Sequence, residues 1–303
     1  GLVTGVQTCA LPIWCAIRVL AHLSDLHFGR VDVTVVAPLV EAVRAARPDA
    51  VVVSGDFVQK GTPAEFHQAR AFVEQLPEPR ILVPGNHDMP FLNLWRRFTV
   101  GLGWYREYIT RDLEPFYRDR HMAILGVNTA RRRLLRGGCV SERQIRRLEE
   151  RLASLPRNLW KVLVSHHPFD LAGTYNHREL VGRARIAMGR FAQSVDVMLA
   201  GHMHLGHAGH TAVRYRLKGR SAIFVQAGTA TSTRGRGQPN AFNIVRLERP
   251  SVVVEQYHWQ EAEGAFRCAC TDRFVMEPEP AVRTVPEIEL EAPESVEALY
   301  PAA

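Results

Sequence analysis

Three short apolar runs near the start of the chain each stop at a cluster of polar side chains. They cover residues 17–23, 50–53 and 81–83, and segments of helical periodicity at 35–47 and 63–76 separate them. This strand–helix alternation is typical of parallel βαβ units. Since such sheets bind ligands at the carboxyl ends of their strands, the polar clusters predict a functional site at one sheet edge.

The later part of the chain continues this pattern. Strands are predicted at 121–128, 160–165, 195–199, 221–226, 241–247 and 251–259, and helices at 141–155 and 177–193. Ser141 and Gln144 fit a capping box at the start of the first of these helices. The aromatic-rich stretch 89–118 is read either as a helical cap over the site or as ordinary packing on the domain.

Carboxylate and imidazole groups dominate the polar clusters, and such groups suit divalent Mn, Fe or Zn. Residues two apart on an extended segment point to one side, so each Asp-x-His or His-x-His pair can reach a common site. One carboxylate can bridge two ions about 3.5–4 Å apart, and such a pair makes hydroxide available near neutral pH. The clustered residues, in chain order, are Asp25, His27, Asp56, Asn86, His87, Asp88, His166, His202 and His204.

In this order, the motifs DxH, GD, GNHD, H and GHxH resemble those of the calcineurin-like metallophosphoesterase superfamily. Residues 24–29, His166-His167-Pro168, 227–230 and 240–243 resemble its bacterial class III cyclic nucleotide phosphodiesterase branch. The resemblance implies an α/β fold, a four-layer α/β/β/α sandwich with mixed sheets. It also implies hydrolysis of a phosphodiester, with a cyclic nucleotide as one candidate, by attack of a metal-bridging hydroxide.

The resemblance also implies a role for each residue. Asp25, His27 and His204 would bind one metal ion, Asn86, His166 and His202 the other, and Asp56 would bridge them. His87 would be a catalytic residue at the phosphoryl group, acting as a general acid or a positive partner. Asp88 would orient His87 by accepting a hydrogen bond. His166 is preferred over His167 as the ligand because it lies two residues before the proline, and His167 would then line the substrate site.

Basic residues suit an anionic substrate. The net charge is +7, and arginines are dense in 131–151 and 214–220. A basic protein favours anionic partners, nucleic acid among them, although a solvated basic face is the preferred interpretation. Arg234 and Arg236, in a glycine-rich loop after the last ligand, are the candidate contacts to the substrate phosphate.

The two ends of the chain are expected to differ from its body. Residues 3–13 match the translation of a common sequencing-library adapter, so 1–13 are interpreted as an artefact and 14–275 as the phosphoesterase domain. Residues 276–303 are rich in Glu and Pro and are expected to be extended or disordered.

The cysteine content and the lengths of the apolar runs indicate the cellular compartment. The odd number of cysteines, five, favours reduced thiols in a cytoplasm. No apolar run approaches the roughly 20 residues of a membrane span. A homodimer is compatible with the resemblance.

Three alternatives to the phosphodiesterase hypothesis remain open. A nuclease of the same fold would use the basic clusters, and a phosphomonoesterase would use the same metal centre. A non-catalytic metal-binding interaction module would keep the ligands and use its acidic tail or basic face to recruit a partner.

Overall fold

The computed structural model describes residues 17–91, 93–171, 177–211, 215, 221–234 and 237–276. The predicted artefact at 1–13, the predicted tail from 277 onward, Arg236 and most of the basic stretch 214–220 lie outside these residues. The domain boundaries therefore stay predictions.

One of two six-stranded sheets holds the three strands at the start of the chain. Strands β1, β2 and β3 are parallel neighbours, and β10 pairs with β1 in the antiparallel sense. The order is β12-β11-β10-β1-β2-β3. Its members are β1 (Arg18–Leu23), β2 (Ala50–Val53), β3 (Arg80–Leu82), β10 (Ala241–Glu248), β11 (Ser251–Gln260) and β12 (Ala265–Val275).

The second sheet has the order β4-β5-β6-β7-β9-β8. Its four central strands are parallel, and its two edge strands pair in the antiparallel sense. Its members are β4 (Phe116–Arg118), β5 (Met122–Val127), β6 (Trp160–Ser165), β7 (Val197–Ala200), β8 (His207–His210) and β9 (Ile223–Gln226). Both sheets are therefore mixed, as predicted.

Alternate side chains of each sheet face different layers. Leu20 and Val52 of the first sheet pack with Val162 and Ile223 of the second in one buried cluster. Their sequence neighbours point the other way, toward helices, as strand periodicity requires. The sheets thus pack face to face between two helical layers, which confirms the four-layer α/β/β/α sandwich.

Within the described residues, six α-helices form the outer layers and the connection between the sheets. Helix α1 buries Val35, Leu39 and Val43 on the first sheet, while α5 buries Ile145 and Leu152 on the second. The bounds are α1 (Val33–Ala45), α2 (Pro63–Val73), α3 (Leu94–Thr99), α4 (Gly103–Tyr108), α5 (Glu142–Ser154) and α6 (Ala184–Phe191). None of the helices in the described part of the chain has the length and apolarity that a bilayer crossing requires.

Most predicted elements are found within a few residues, and the capping box of Ser141 and Gln144 is present. The aromatic stretch contains α3, α4 and β4; Tyr105 of α4 is fully buried against Phe57, which favours packing over a cap. Strand β8, which was not among the predicted strands, contains His207 and His210 and pairs with β9.

Candidate metal centre

The predicted ligand segments converge at the carboxyl ends of the strands of both sheets. Asp25 donates its main-chain N–H to the Gly55 carbonyl across 3.1 Å, and Gly201 donates to the His166 carbonyl across 3.1 Å. The main-chain N–H of His202 then donates to Asp25 Oδ2 at 2.9 Å, which joins the two sheets at the site.

A first group consists of Asp25, His27 and His204, whose candidate ligand atoms all lie within 4.8 Å of one another. Asp25 Oδ1 is 3.5 Å from His27 Nε2 and 3.4 Å from His204 Nε2. The ring of His204 is held through Nδ1 by Thr229 Oγ1 at 2.7 Å, so Nε2 is the atom left for a ligand.

Three buried atoms of this group have no hydrogen-bond partner among the described residues: Asp25 Oδ1 and both ring nitrogens of His27. Unpaired polar atoms in a protein interior are costly and call for an unseen partner such as an ion. Carboxylate oxygen and imidazole nitrogen are suitable donors for a divalent metal, so these residues fit the predicted metal ion.

Asp56 lies between the first group and a second one. Its Oδ2 atom is 3.8 Å from His27 Nε2 and 3.3 Å from His166 Nε2, while Oδ1 accepts a hydrogen bond from the His87 main chain at 2.8 Å. His166 donates from Nδ1 to the Ser54 carbonyl at 2.8 Å, which frees Nε2. That Nε2 atom also lies 3.2 Å from Oδ1 of Asn86.

His202 belongs to the second group, together with His166 and His167. Both ring nitrogens of His167, however, have partners within the protein: Thr129 Oγ1 at 2.8 Å and the Arg136 carbonyl at 3.2 Å. Its side chain is buried. This geometry disagrees with the expectation that His167 contacts the substrate, because a ring occupied on both edges has no free polar atom to offer.

The backbone of the ligand segments differs from the extended geometry that the two-residue spacing suggested. Five predicted ligands have positive φ, a region that L-residues other than glycine rarely adopt. The values are 54° at Asp25, 50° at His27, 54° at Asp56, 75° at His202 and 60° at His204. Tight left-handed turns after the strands, and not a shared strand face, bring the side chains together. His202 and His204 accordingly enter different groups.

His87 is oriented by a main-chain carbonyl and not by Asp88. His87 Nδ1 lies 2.7 Å from the Gln59 carbonyl oxygen, which can only accept, so Nδ1 carries the hydrogen. Asp88 instead accepts from the main-chain N–H groups of Phe57 and Gly85, both at 2.8 Å. The predicted Asp88–His87 bond is therefore wrong: the buried carboxylate is occupied in holding the loops after β2 and β3.

Two further side chains surround His87. Arg234 Nη1 is 3.4 Å from His87 Nε2 and 3.5 Å from Gln59 Oε1. The Phe91 ring stacks on the His87 ring, with centroids 4.9 Å apart. Sequence reasoning missed Gln59 and Phe91, and only the nearness of Phe91 to the GNHD motif could have indicated it. Arg236 lies outside the described residues.

Asp56 and His166 carry opposite charges that compensate each other within the group. Burial acts to raise the pKa of Asp56, but His166 and His87 hold it well below the usual range. Burial acts to lower the pKa of His166, and Asp56 outweighs it, giving about 9. Burial, together with His166, lowers the pKa of His202 to about 3. Ionised carboxylates thus stand beside a neutral imidazole that can donate a lone pair.

The sequence pattern of one protein family, described as calcineurin-like phosphoesterase, matches residues 18–206, the segment that holds every predicted ligand. This chain belongs to the calcineurin-like phosphoesterase family. Members of this family are hydrolases of phosphoric esters. The family, together with the His/Asp groups, implies divalent metal ions.

Individual relatives of this phosphoesterase carry phosphodiesterase names. It is 30% identical over 263 residues to a cAMP/cGMP dual specificity phosphodiesterase of Mycobacterium tuberculosis. The matched segment covers 78% of this chain and 77% of that relative. It is 44% identical over 81 residues to the glycerophosphodiester phosphodiesterase GpdQ of Enterobacter lignolyticus, covering 23% of this chain and 29% of that protein.

Among solved structures, the purple acid phosphatase PPD1 from yellow lupin seeds superposes with a TM-score of 0.62 at 12% identity. The match covers 86% of this chain and 54% of the phosphatase. At this identity the likeness shows the shared fold alone.

Proposed function

We propose that this phosphoesterase hydrolyses a small phosphodiester at a centre for two divalent metal ions. The observation that carries the proposal is the position of Asp56 Oδ2, which faces His27 Nε2 at 3.8 Å on one side and His166 Nε2 at 3.3 Å on the other. An oxygen flanked in this way by two groups of donors is suited to bridging two cations.

The proposed ligand roles are those of the sequence prediction, with Asn86 Oδ1 beside His166 Nε2. Asp25, His27 and His204 would hold one ion, and Asn86, His166 and His202 the other, with Asp56 between them. Ions bound there would supply a hydroxide nucleophile near neutral pH and would neutralise charge on the phosphoryl oxygens. We propose Mn, Fe or Zn on the chemistry of the donor set.

His87 would exchange a proton with the leaving oxygen through Nε2, because Nδ1 is engaged by the Gln59 carbonyl. Burial lowers the pKa of His87 in the absence of substrate. An anionic phosphoryl group beside Nε2 would favour the protonated ring and so prepare it to donate. Arg234, 3.4 Å from Nε2, would bind a non-bridging phosphoryl oxygen.

The names of the relatives support a diester over a monoester, and we propose cyclic nucleotides and glycerophosphodiesters as the two substrate classes to compare. A cytoplasmic location is proposed on the free thiols of Cys139, Cys268 and Cys270.

The test is hydrolysis of bis(p-nitrophenyl) phosphate by protein loaded with Mn²⁺, beside p-nitrophenyl phosphate, cAMP and a glycerophosphodiester. The expected result is turnover of diesters above the monoester, abolished by chelation. A fully metallated protein that cleaves none of these substrates would favour the interaction-module alternative.

A further inference from the structure

Helix α3 carries an arginine that the described structure encloses completely. Arg97 has 0% of its surface exposed. Its guanidinium donates to main-chain carbonyl oxygens: Nε to Arg132 at 2.9 Å, Nη1 to Asn86 at 3.2 Å, and Nη2 to Leu134 at 2.7 Å and Arg131 at 3.4 Å. Burying a guanidinium is costly unless its donors are satisfied, and the planar fork satisfies several acceptors at once.

Two routes lead from Arg97 to the predicted ligand Asn86. The first is direct, through the Asn86 carbonyl. The second passes through the loop 131–134, where Arg97 donates hydrogen bonds to the carbonyls of Arg131, Arg132 and Leu134. The next carbonyl along this loop, that of Leu135, accepts a hydrogen bond from Asn86 Nδ2 at 3.1 Å.

The bond to Leu135 decides which end of the Asn86 amide faces the metal centre. A carbonyl oxygen only accepts, so the amide must turn its NH₂ group toward Leu135 and its oxygen toward His166, where Oδ1 lies 3.2 Å from Nε2. The reversed amide would present hydrogens to a cation. Oxygen is the atom that can act as a ligand, so the position of the 131–135 loop fixes whether Asn86 can serve.

We propose that Arg97 is a positioning residue for the second metal ion, locking the amide orientation of Asn86 by holding the loop 131–135. The inference rests on the proposed function in one respect, that Asn86 is a metal ligand. A lysine at position 97 keeps the charge but has a single nitrogen, which cannot hold four carbonyls in one plane. The loop would then be released while the buried cation remained.

The test measures Mn²⁺ binding by metal-free, full-length protein, using calorimetry and the electron paramagnetic resonance of bound Mn²⁺. Arg97→Lys is expected to weaken one of the two sites about 10–100-fold, the usual size of an effect on the partners of a ligand, and to leave the other unchanged. Arg80→Lys is the matched control. Arg80 begins β3, at the end of the strand away from the metal centre, and its guanidinium also donates to a main-chain carbonyl, that of Val73.

A double-mutant cycle separates positioning from general support of the fold. In an Asn86→Asp background both side-chain termini are oxygens, so the amide orientation no longer matters. The proposal expects Arg97→Lys to have a much smaller effect on Mn²⁺ affinity there than in the parent. Equal losses in both backgrounds, or equal weakening of both sites, would overturn it in favour of a structural role.

Asn86→Ala distinguishes failure of the inference from failure of the proposed function. If Asn86→Ala binds two ions as the parent does, the ligand assignment fails. If it loses one ion while Arg97→Lys binds normally, only the role of Arg97 fails. Arg97→Gln provides a second variant should the lysine form not fold, and unfolding of both metal-free variants would assign Arg97 a structural role and overturn the proposal.

Discussion

His87 and Gln59 are joined by a hydrogen bond of 2.7 Å from the imidazole Nδ1 to a main-chain carbonyl oxygen. The bond fixes the tautomer, so Nε2 is the ring atom left for chemistry, and it lies 3.4 Å from Arg234. Because a backbone group makes this bond, no side-chain substitution at position 59 removes it directly.

Replacing His87 by alanine is expected to lower kcat by about 10²–10⁴-fold, the usual contribution of a general acid. Metal content should stay at the parental level, because neither ring nitrogen belongs to the ligand groups. Steady-state kinetics with bis(p-nitrophenyl) phosphate and metal analysis check both parts. His67→Ala, at an exposed histidine of α2, is the control. Near-parental kcat in His87→Ala would remove this residue from the mechanism.

Arg234→Ala is expected to raise KM for a diester by about 10–100-fold, since a hydrogen bond to a charged group contributes about 1.5–3 kcal/mol. kcat should change less, because the contact is already made in the bound substrate. Arg30→Ala is the matched control; that side chain is exposed and bonds Thr233 just before Arg234. If both variants behave alike, Arg234 contributes only general positive charge.

Gly85→Ala is expected to abolish activity and weaken metal binding. A β-carbon at position 85 would lie 2.1 Å from Asp56 Oδ1 and 2.5 Å from the Asp56 main-chain nitrogen. Such a clash must displace the carboxylate that we propose as the bridge. Gly137→Ala, in the nearby loop with nothing within 4 Å of its added carbon, should retain full activity. Calorimetric Mn²⁺ titration of both variants decides the matter.

Metal loading is expected to stabilise the protein, because a ligand that binds only the folded state adds about 2.7 kcal/mol at a hundredfold excess over its Kd. Thermal unfolding of metal-free protein with and without Mn²⁺ measures the effect. Asp56→Asn should lose most of the increase in Tm, while Asp112→Asn, at an exposed loop carboxylate, should keep it. An Asp56→Asn protein with the full parental increase would contradict the bridging role.

The convergence of the predicted ligands could be foreseen because strand ends are easy to recognise in the sequence. The run 50–53 is buried on both faces and is followed by Ser54, Gly55 and Asp56, and parallel packing brings such strand ends together. Three of the edge strands, β4, β8 and β12, were missed. Their side chains are mostly exposed or intermediate, so the apolar pattern that identified the other strands is absent.

The support around the ligands was not predictable in the same way. His87 and Asn86 donate to the main-chain carbonyl oxygens of Gln59 and Leu135; every residue has such an oxygen, so no residue type indicates these bonds. The expected roles of Asp88 and His167 came from the family resemblance. In the structure each bonds a partner that is remote in sequence, Phe57 for Asp88 and Thr129 for His167.

The left-handed backbone at the predicted ligands lowers the stability of the fold, while the side chains at the same positions are the ones that metal binding requires. For a residue other than glycine this conformation costs roughly 1–2 kcal/mol, so the folded chain holds these residues against their own preference. Glycine would relieve that cost and remove a predicted ligand in the same step. A library selected for thermal survival in the presence of a chelator should therefore accumulate glycine and lose activity together. The positions at which this drift is expected are Asp25, His27, Asp56, His202 and His204.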